Sequence, residues 1–472
     1  MIENIIYALP EILLLCGILF LPVCHLFHVQ HRKILKYCIL LIFLSAFMDI
    51  IFYNKSFAEH YLNNTAFNTM INLIVYFCAL AVLFLAKRWY VSTNESPFIY
   101  CESVLLTLLL SNIISASTHF AVTLTAYWGM ALVYFLLLMH SHKLKDNYNG
   151  IKNYKRSAIF FSIVMLLIAF VFYFENGHLS YSSLSSFIAM NSNSIEVLCF
   201  IFAVFICFMF IIGLAPFNFW RTETLGQVTL PLLAYFLLIP VSACFVALLN
   251  ICLNAFSSQF TTISNLFICF GAISTLIGAF GTCTGKNIYK SLSYGSLFHF
   301  GILMFALSTL DIKSINNFLL YLVTYLIAMY GLVSSFFGLK SRGEYLFTLQ
   351  NIVGAADKKP FISAMITICI FSLIGFPPFF GFTGLYAVGH ELAQNNHLYI
   401  LVFLLIMLVI ITYGYMQIIK NLYFEKSKNI FDATENSVYT IILINASITA
   451  ILSLNPNIII ENIRLITENI LG

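Results

Sequence analysis

The sequence predicts an all-α membrane protein of about fourteen transmembrane helices. Composition, the length of the apolar runs and the placement of the basic residues lead to that reading. Of 472 residues, 61% are hydrophobic and 9% charged, whereas a soluble globular chain carries roughly 25% charged residues. Lipid gives backbone amides no partner, so only helices or closed barrels can span it. Barrel strands alternate over segments of about ten residues. Here the apolar runs are continuous and about 20 residues long, as transmembrane helices require.

The runs fall at 5–27, 34–53, 66–86, 98–116, 119–140, 157–175, 195–215, 228–250, 263–281, 291–310, 317–337, 362–394 (broken), 397–419 and 436–454. The first lacks a basic leader and a small-residue cleavage site, so a retained helix is expected rather than a signal peptide. Connections are short, and no soluble domain is predicted. Of the 23 Lys and Arg residues, all but Lys55, Lys313 and Arg464 fall at odd-numbered connections. By the positive-inside rule those connections face the cytoplasm. An even number of spans then puts both termini on the non-cytoplasmic side.

Two stretches interrupt the helical pattern. One is Gly213-Leu214-Ala215-Pro216-Phe217-Asn218-Phe219-Trp220, followed by Pro231 and Pro240. The other runs from Gly375 through Pro377 and Pro378 to Gly381 and Gly384. Proline removes an amide donor and kinks a helix. Such breaks are either ordinary kinks in packed helices or the paired interruptions of a repeat-built transporter. The second reading gives two inverted five-helix repeats, each with a broken helix. It divides the chain into a three-helix segment at 1–97, repeats at 98–262 (break near 213–241) and 263–420 (break near 372–394), and a last helix and tail at 421–472.

Cys16, Cys38, Cys78, Cys199, Cys207, Cys244 and Cys269 lie in apolar runs, and there is no Cys-x-x-Cys. They read as small packing residues, with neither disulfides nor an iron–sulfur cluster expected.

A titratable group at bilayer depth is a functional candidate by default. Glu11 and Asp49 sit near the ends of the first two spans. Glu102 opens the fourth, and His119 and His140 bracket the fifth as interfacial residues. Arg221 and Glu223 follow the first break. Lys286 and Lys290 open the tenth span; these four read either as interfacial charges or as parts of a proton path. His390 and Glu391 follow the second break. His299 is the foremost candidate for a buried relay, with Tyr294 and Ser296 nearby on its helix.

Other motifs fail on spacing. Gly281-Thr282-Cys283-Thr284-Gly285-Lys286-Asn287 has its first glycine misplaced for a phosphate loop, and Asn287 stands where Ser or Thr is needed. His390-Glu391-Leu392-Ala393-Gln394 lacks the second histidine of a zinc-protease helix. With no strands predicted, no dinucleotide fingerprint has its context. No nucleotide, flavin, metal or nucleic-acid site is expected.

Four patches give the chain a resemblance to the antiporter-like subunits of respiratory complex I, also found in multisubunit cation/proton antiporters. Ala215-Pro216-Phe217-Asn218-Phe219-Trp220 resembles the family's A-P-F-H-x-W. The stretch from Asn287 through Lys290, Leu292, Tyr294, Ser296 and His299 to Gly301 resembles N-x-K-R-x-L-A-Y-S-S-x-x-H-x-G. Ser372 to Gly384 resembles S-L-x-G-x-P-P-x-x-G-F-x-G. Leu9-Pro10-Glu11-Ile12 is similar to the start of the family's NADH-quinone oxidoreductase members.

The resemblance implies an antiporter-like fold and a membrane-arm subunit coupling electron transport to proton translocation. It implies no redox centre in this chain: NADH, FMN, iron–sulfur clusters and quinone would belong to other subunits. The implied partners are other membrane-arm subunits and the lipid bilayer, in a bacterial plasma membrane or mitochondrial-type inner membrane. The family's charged positions fall on Trp128, Val241 and Leu385 here. Another lysine falls on Tyr289, with Lys290 one place along, and another near Asn153, between Lys152 and Lys155. Proton transfer is therefore expected to be reduced, lost or rerouted. A cation/proton antiporter subunit and a non-pumping structural paralogue are the alternatives.

Overall fold

A computed structural model of the chain describes residues 6–53, 61–140, 148–192, 194–285, 287–425 and 430–468. Lys55 and Lys286 lie outside them. The helices are α1 (Leu9–Leu26), α2 (His31–Ile51), α3 (Ala66–Thr93), α4 (Phe98–Ala116), α5 (Phe120–His140), α6 (Tyr148–Asn176), α7 (Tyr181–Met190), α8 (Ile195–Ile212) and α9 (Phe219–Leu225). There follow α10 (Leu230–Asn254), α11 (Phe260–Thr284), α12 (Ile288–Ala306), α13 (Ile312–Phe337), α14 (Pro360–Ile374), α15 (Phe380–Gln394), α16 (Leu398–Tyr423), α17 (Asn436–Leu454) and α18 (Asn457–Glu468). Among the described residues, 12 helices are long and apolar enough to cross a membrane. The protein is a helical, multi-pass membrane protein.

Helix ends follow the local chemistry. The Thr65 side chain accepts from the Asn68 amide, Asp311 from Ser314, and Asn287 from Tyr289 and Lys290. Each satisfies amides that the first turn leaves without partners. Asn287 is thus a helix cap, and Gly281–Thr284 is the last turn of α11 rather than a phosphate loop. Gly375 ends α14 with φ +76°, the left-handed conformation of a helix C-cap.

Four details depart from the sequence reading. The short helices α7, α9 and α18 fall in segments read as connections or tail. A two-residue hairpin, Lys340–Ser341 against Glu344–Tyr345, corrects the expectation of no strands. Its turn residues Arg342 and Gly343 have φ of +52° and +80°, the signs that a tight hairpin turn requires.

The chain divides into two compact units. Among the described residues, one comprises those within 6–212 and 238–263; the other comprises those within 213–237 and 264–468. In the first, α1 packs on α2 and α4, α3 on α2 and α4, α5 on α4 and α6, and α6 on α8. Lys87 lies among Lys36, Arg88 and Arg32 at one end of it. In the second, α13 is the hub, packing on α14, α15, α17 and α18. Lys340, Lys359 and Lys420 gather at one end of it. The Asp432 amide donates to the Lys340 carbonyl, Lys359 Nζ donates to Thr434, and the Gly354 amide donates to the carbonyl of Asn421, beside Lys420.

Candidate functional site

The site grows from the proline in α10. Helix α8 ends at Ile212, and residues 213–218 form a non-helical link with a cis Ala215–Pro216 peptide. The Ala215 amide donates to Ser274 Oγ at 3.1 Å. Helix α10 runs unbroken through Pro231 and Pro240. The interruption is therefore shorter than the stretch 213–241 read from the sequence. Pro231 sits in the first turn, where no amide donor is missed. Pro240 sits inside, where it has no N–H for the carbonyl of Phe236.

Two side chains donate to backbone carbonyls one turn before Pro240. Arg221 Nη2 donates to the Phe236 oxygen at 3.1 Å. Tyr325 OH donates to the Leu237 oxygen at 3.0 Å. Arg221 also donates to Ser296 Oγ at 3.2 Å and lies 4.5 Å from the centre of the Phe300 ring. It is 1% exposed, so it is a buried residue, not one of the interfacial charges. Gly213, with φ +78°, lets the guanidinium stem pass: a Cβ there would lie 2.8 Å from Arg221 Cδ.

His299 lies on α12 and is buried. Its Nδ1 is 2.8 Å from Tyr321 OH and its Nε2 is 3.4 Å from Tyr415 OH. The Tyr325 ring centre is 5.4 Å from the imidazole. Ser296, three residues earlier, serves Arg221 and donates to the Ser293 carbonyl at 2.7 Å. Tyr294 instead packs over Gly281, where a Cβ would meet its ring at 2.1 Å. Among the described sequence candidates, then, Arg221 and His299 meet around one buried polar patch, with Ser296 between them on the His299 helix. Tyr321, Tyr325 and Tyr415 were missed. Tyr321 and Tyr325 are four residues apart on one helix, a spacing that puts them on one face; Tyr415 carries no local signal.

The remaining candidates lie elsewhere. Lys290 is exposed on the first turn of α12, its Cβ 3.2 Å from where a Gly226 side chain would begin. Lys286 lies outside the described residues. Glu223 is exposed, two residues from Arg221 and so on another face of α9. Glu102 is half-buried on α4. His390 is exposed and stacks on Tyr386 at 5.8 Å. Glu391 is buried and accepts from Thr309 Oγ1 at 2.6 Å and from Asn317 Nδ2.

The second break separates α14 from α15 and holds Pro377 and Pro378, joined by a cis peptide. Gly381 bonds its amide to Ser372 Oγ at 3.0 Å, and a Cβ there would lie 1.7 Å from the Ser372 carbonyl oxygen. A Cβ at Gly384 would lie 2.7 Å from Thr324 Oγ1. Leu385 fills the space beside Gly375. Val241 is buried, next to Pro240. Trp128 spends its indole N–H on the Ser162 carbonyl at 3.3 Å and lines an apolar groove of about 550 Å³ with Phe135, Lys155 and Leu166. None of these three can carry a proton. Among the described residues, no group of three or more His, Cys, Asp or Glu is placed to hold a metal ion.

A family model described as NADH:quinone oxidoreductase/Mrp antiporter, TM, matches residues 120–412, well over half of the chain. The chain belongs to this family. The matched region of this antiporter family contains both breaks, Arg221 and His299, and ends just before Tyr415. NADH-quinone oxidoreductase subunit N of Bartonella bacilliformis is 24% identical over 94% of this chain and 93% of its own length. Subunit N of Francisella tularensis is 25% identical over 98% and 99%. A chain of respiratory complex I from Thermus thermophilus shares the fold with a TM-score of 0.80 at 18% identity, covering 96% of this chain and 98% of its own. A chain of the Mrp complex from Dietzia does so at 0.84 and 12% identity, covering 98% and 97%.

Proposed function

We propose that this chain is an antiporter-like membrane-arm subunit of a complex I-type NADH:quinone oxidoreductase, the counterpart of subunit N, and that His299 is the proton-handling group of its second unit. The observation that carries the second part is the placement of both imidazole nitrogens against phenol hydroxyls, Tyr321 on one side and Tyr415 on the other. A neutral imidazole donates from one nitrogen and accepts at the other. A proton arriving at one face can therefore leave from the other after a tautomer exchange. Arg221 stays charged throughout, since its guanidinium does not deprotonate in proteins. It acts as a fixed positive charge on the Phe236 carbonyl that Pro240 leaves without an amide, not as a carrier. The relatives matched over nearly their whole length support the first part.

In this reading, NADH oxidation and quinone reduction occur in other subunits, with FMN and the iron–sulfur clusters there, and this chain supplies no redox centre. It sits in a bacterial plasma membrane or mitochondrial-type inner membrane with both termini on the non-cytoplasmic side. Trp128, Val241 and Leu385 reduce or reroute proton traffic relative to a chain with titratable groups at those positions.

The test is to purify the chain from its native membrane in mild detergent, identify its partners, and measure protons moved per electron in vesicles with wild-type and His299→Ala chains. Co-purification with NADH-oxidising and quinone-reducing subunits, and a lower ratio in the variant at unchanged electron transfer, is the expected result. Co-purification with cation/proton antiporter subunits alone overturns the complex I assignment. An unchanged ratio overturns the role of His299 and favours a structural paralogue.

A further inference from the structure

A second polar cluster lies in the first unit, where the function above does not use it. Glu11 opens α1 and Asp49 ends α2. Asn72 and Tyr76 lie in the first half of α3, and Asn112 and Ser115 in the last turns of α4. Because successive helices reverse direction, all six fall at one end of the unit. Lys36, Lys87 and Arg88 mark the other.

The cluster has a defined order of donors. Asn112 Nδ2 donates to Tyr76 OH at 2.7 Å. Ser115 Oγ donates to Asn72 Oδ1 at 3.1 Å and to the Asn112 carbonyl at 3.0 Å. With those acceptors occupied, the Tyr76 hydroxyl and an Asn72 amide N–H are left beside Asp49 to act on its carboxyl. One N–H of each asparagine amide and the hydroxyl protons of Tyr76 and Ser115 are then accounted for. Three buried acceptors are left without a partner among the described residues: Glu11 Oε2, Asp49 Oδ2 and Asn112 Oδ1. Asp49 is 4% exposed and Asn112 2%. Glu11 is near enough to act electrostatically on Asp49, and no described basic side chain pairs with either. The groups facing the pair are thus one carboxyl on each of α1 and α2, the Tyr76 phenol on α3, and neutral amide and hydroxyl groups on α3 and α4.

We propose that Glu11 and Asp49 form a coupled, proton-binding carboxyl pair that carries one proton rather than none when the surrounding medium is neutral. Two bare carboxylates in apolar surroundings cannot both stay ionised without a counter-charge. A single proton held by the pair removes one of the two charges and turns one of the unpartnered carboxyl oxygens into a donor. A monovalent metal ion could be drawn to the same oxygens, so the test separates the two. The inference is independent of the role given to His299, which lies in the other unit.

The probe is a hydrophobic carbodiimide, which captures protonated carboxyls in apolar surroundings; the labelled residue is identified by peptide mass in the assembled, detergent-purified protein. The expected result is label on Glu11 or Asp49 of the wild type at neutral pH, falling about tenfold in alkaline buffer. It should also fall about tenfold on Glu11 in Asp49→Asn, and on Asp49 in Glu11→Gln, because each carboxyl alone has no neighbouring negative charge to hold its proton in place. No label on either residue of the wild type overturns the proposal, as would follow if Lys55, just past α2, neutralised the pair. Undiminished label in the single variants overturns the coupling. Protection by sodium ions at fixed pH overturns the proton in favour of a metal-ion site. The wild-type measurements stand even where a variant fails to assemble.

Discussion

Arg221 donates a hydrogen bond to the carbonyl oxygen of Phe236 at 3.1 Å, the acceptor that Pro240 has no amide to serve. A proline inside an apolar helix leaves a bare carbonyl, and burying one unpartnered costs about 1–3 kcal/mol. The arginine itself is costly to bury unless its protons are used. The arginine thus supplies that carbonyl with a donor and spends part of its own hydrogen-bonding capacity there, and Tyr325 OH donates to the next carbonyl along, Leu237.

Arg221→Met should therefore lower the thermal midpoint of the purified complex by an amount corresponding to about 1–3 kcal/mol. Pro240→Ala restores the helical amide. The double variant Arg221→Met/Pro240→Ala should be less destabilised than the two single effects added together. Simple additivity, read from the four midpoints, would show that the arginine is not held by the proline kink.

Tyr321→Phe and Tyr415→Phe should differ. The Tyr321 hydroxyl is 2.8 Å from His299 and the Tyr415 hydroxyl 3.4 Å, and hydrogen bonds weaken with such lengthening. Proton-to-electron ratios measured in vesicles should fall further in Tyr321→Phe than in Tyr415→Phe. Equal and undiminished ratios would remove both phenols from the path.

Val241 and Leu385 stand where the family resemblance places lysines. Val241→Lys and Leu385→Lys made together should raise the ratio of protons moved per electron if the rest of the path is intact. An unchanged ratio would mean that these two positions do not by themselves limit transfer. Val241 is 2% exposed, so the variant must first be shown to assemble.

Gly381→Ala should abolish stable assembly, since its new Cβ would lie 1.7 Å from the Ser372 carbonyl oxygen and 2.6 Å from its carbon. That obstacle is backbone, so the loss should exceed the ~1–3 kcal/mol of ordinary overpacking. Gly384→Ala meets mainly Thr324 Oγ1 at 2.7 Å and Tyr321 Cα at 3.2 Å and should be milder. Yield of intact complex after detergent extraction reads the difference.

Much of this protein was legible in the chain alone. The long apolar runs determined its helices, because lipid leaves a backbone no other partner over about 20 residues. The prolines announced both interruptions, and His299 is buried, as its place within an apolar run suggested. What the sequence left open depended on contacts between distant segments. Arg221 and Glu223 looked alike as charges after a break, yet one is buried against Phe236 and Ser296 and the other is exposed; only the packing of α9 beside α12 separates them. Tyr294 was the nearer phenol to His299 along the helix, but the imidazole meets Tyr321 and Tyr415 from other helices, 22 and 116 residues away. Local periodicity decides which residues can turn inward. Which inward residues touch is decided by how the helices cross, and no window of sequence contains that.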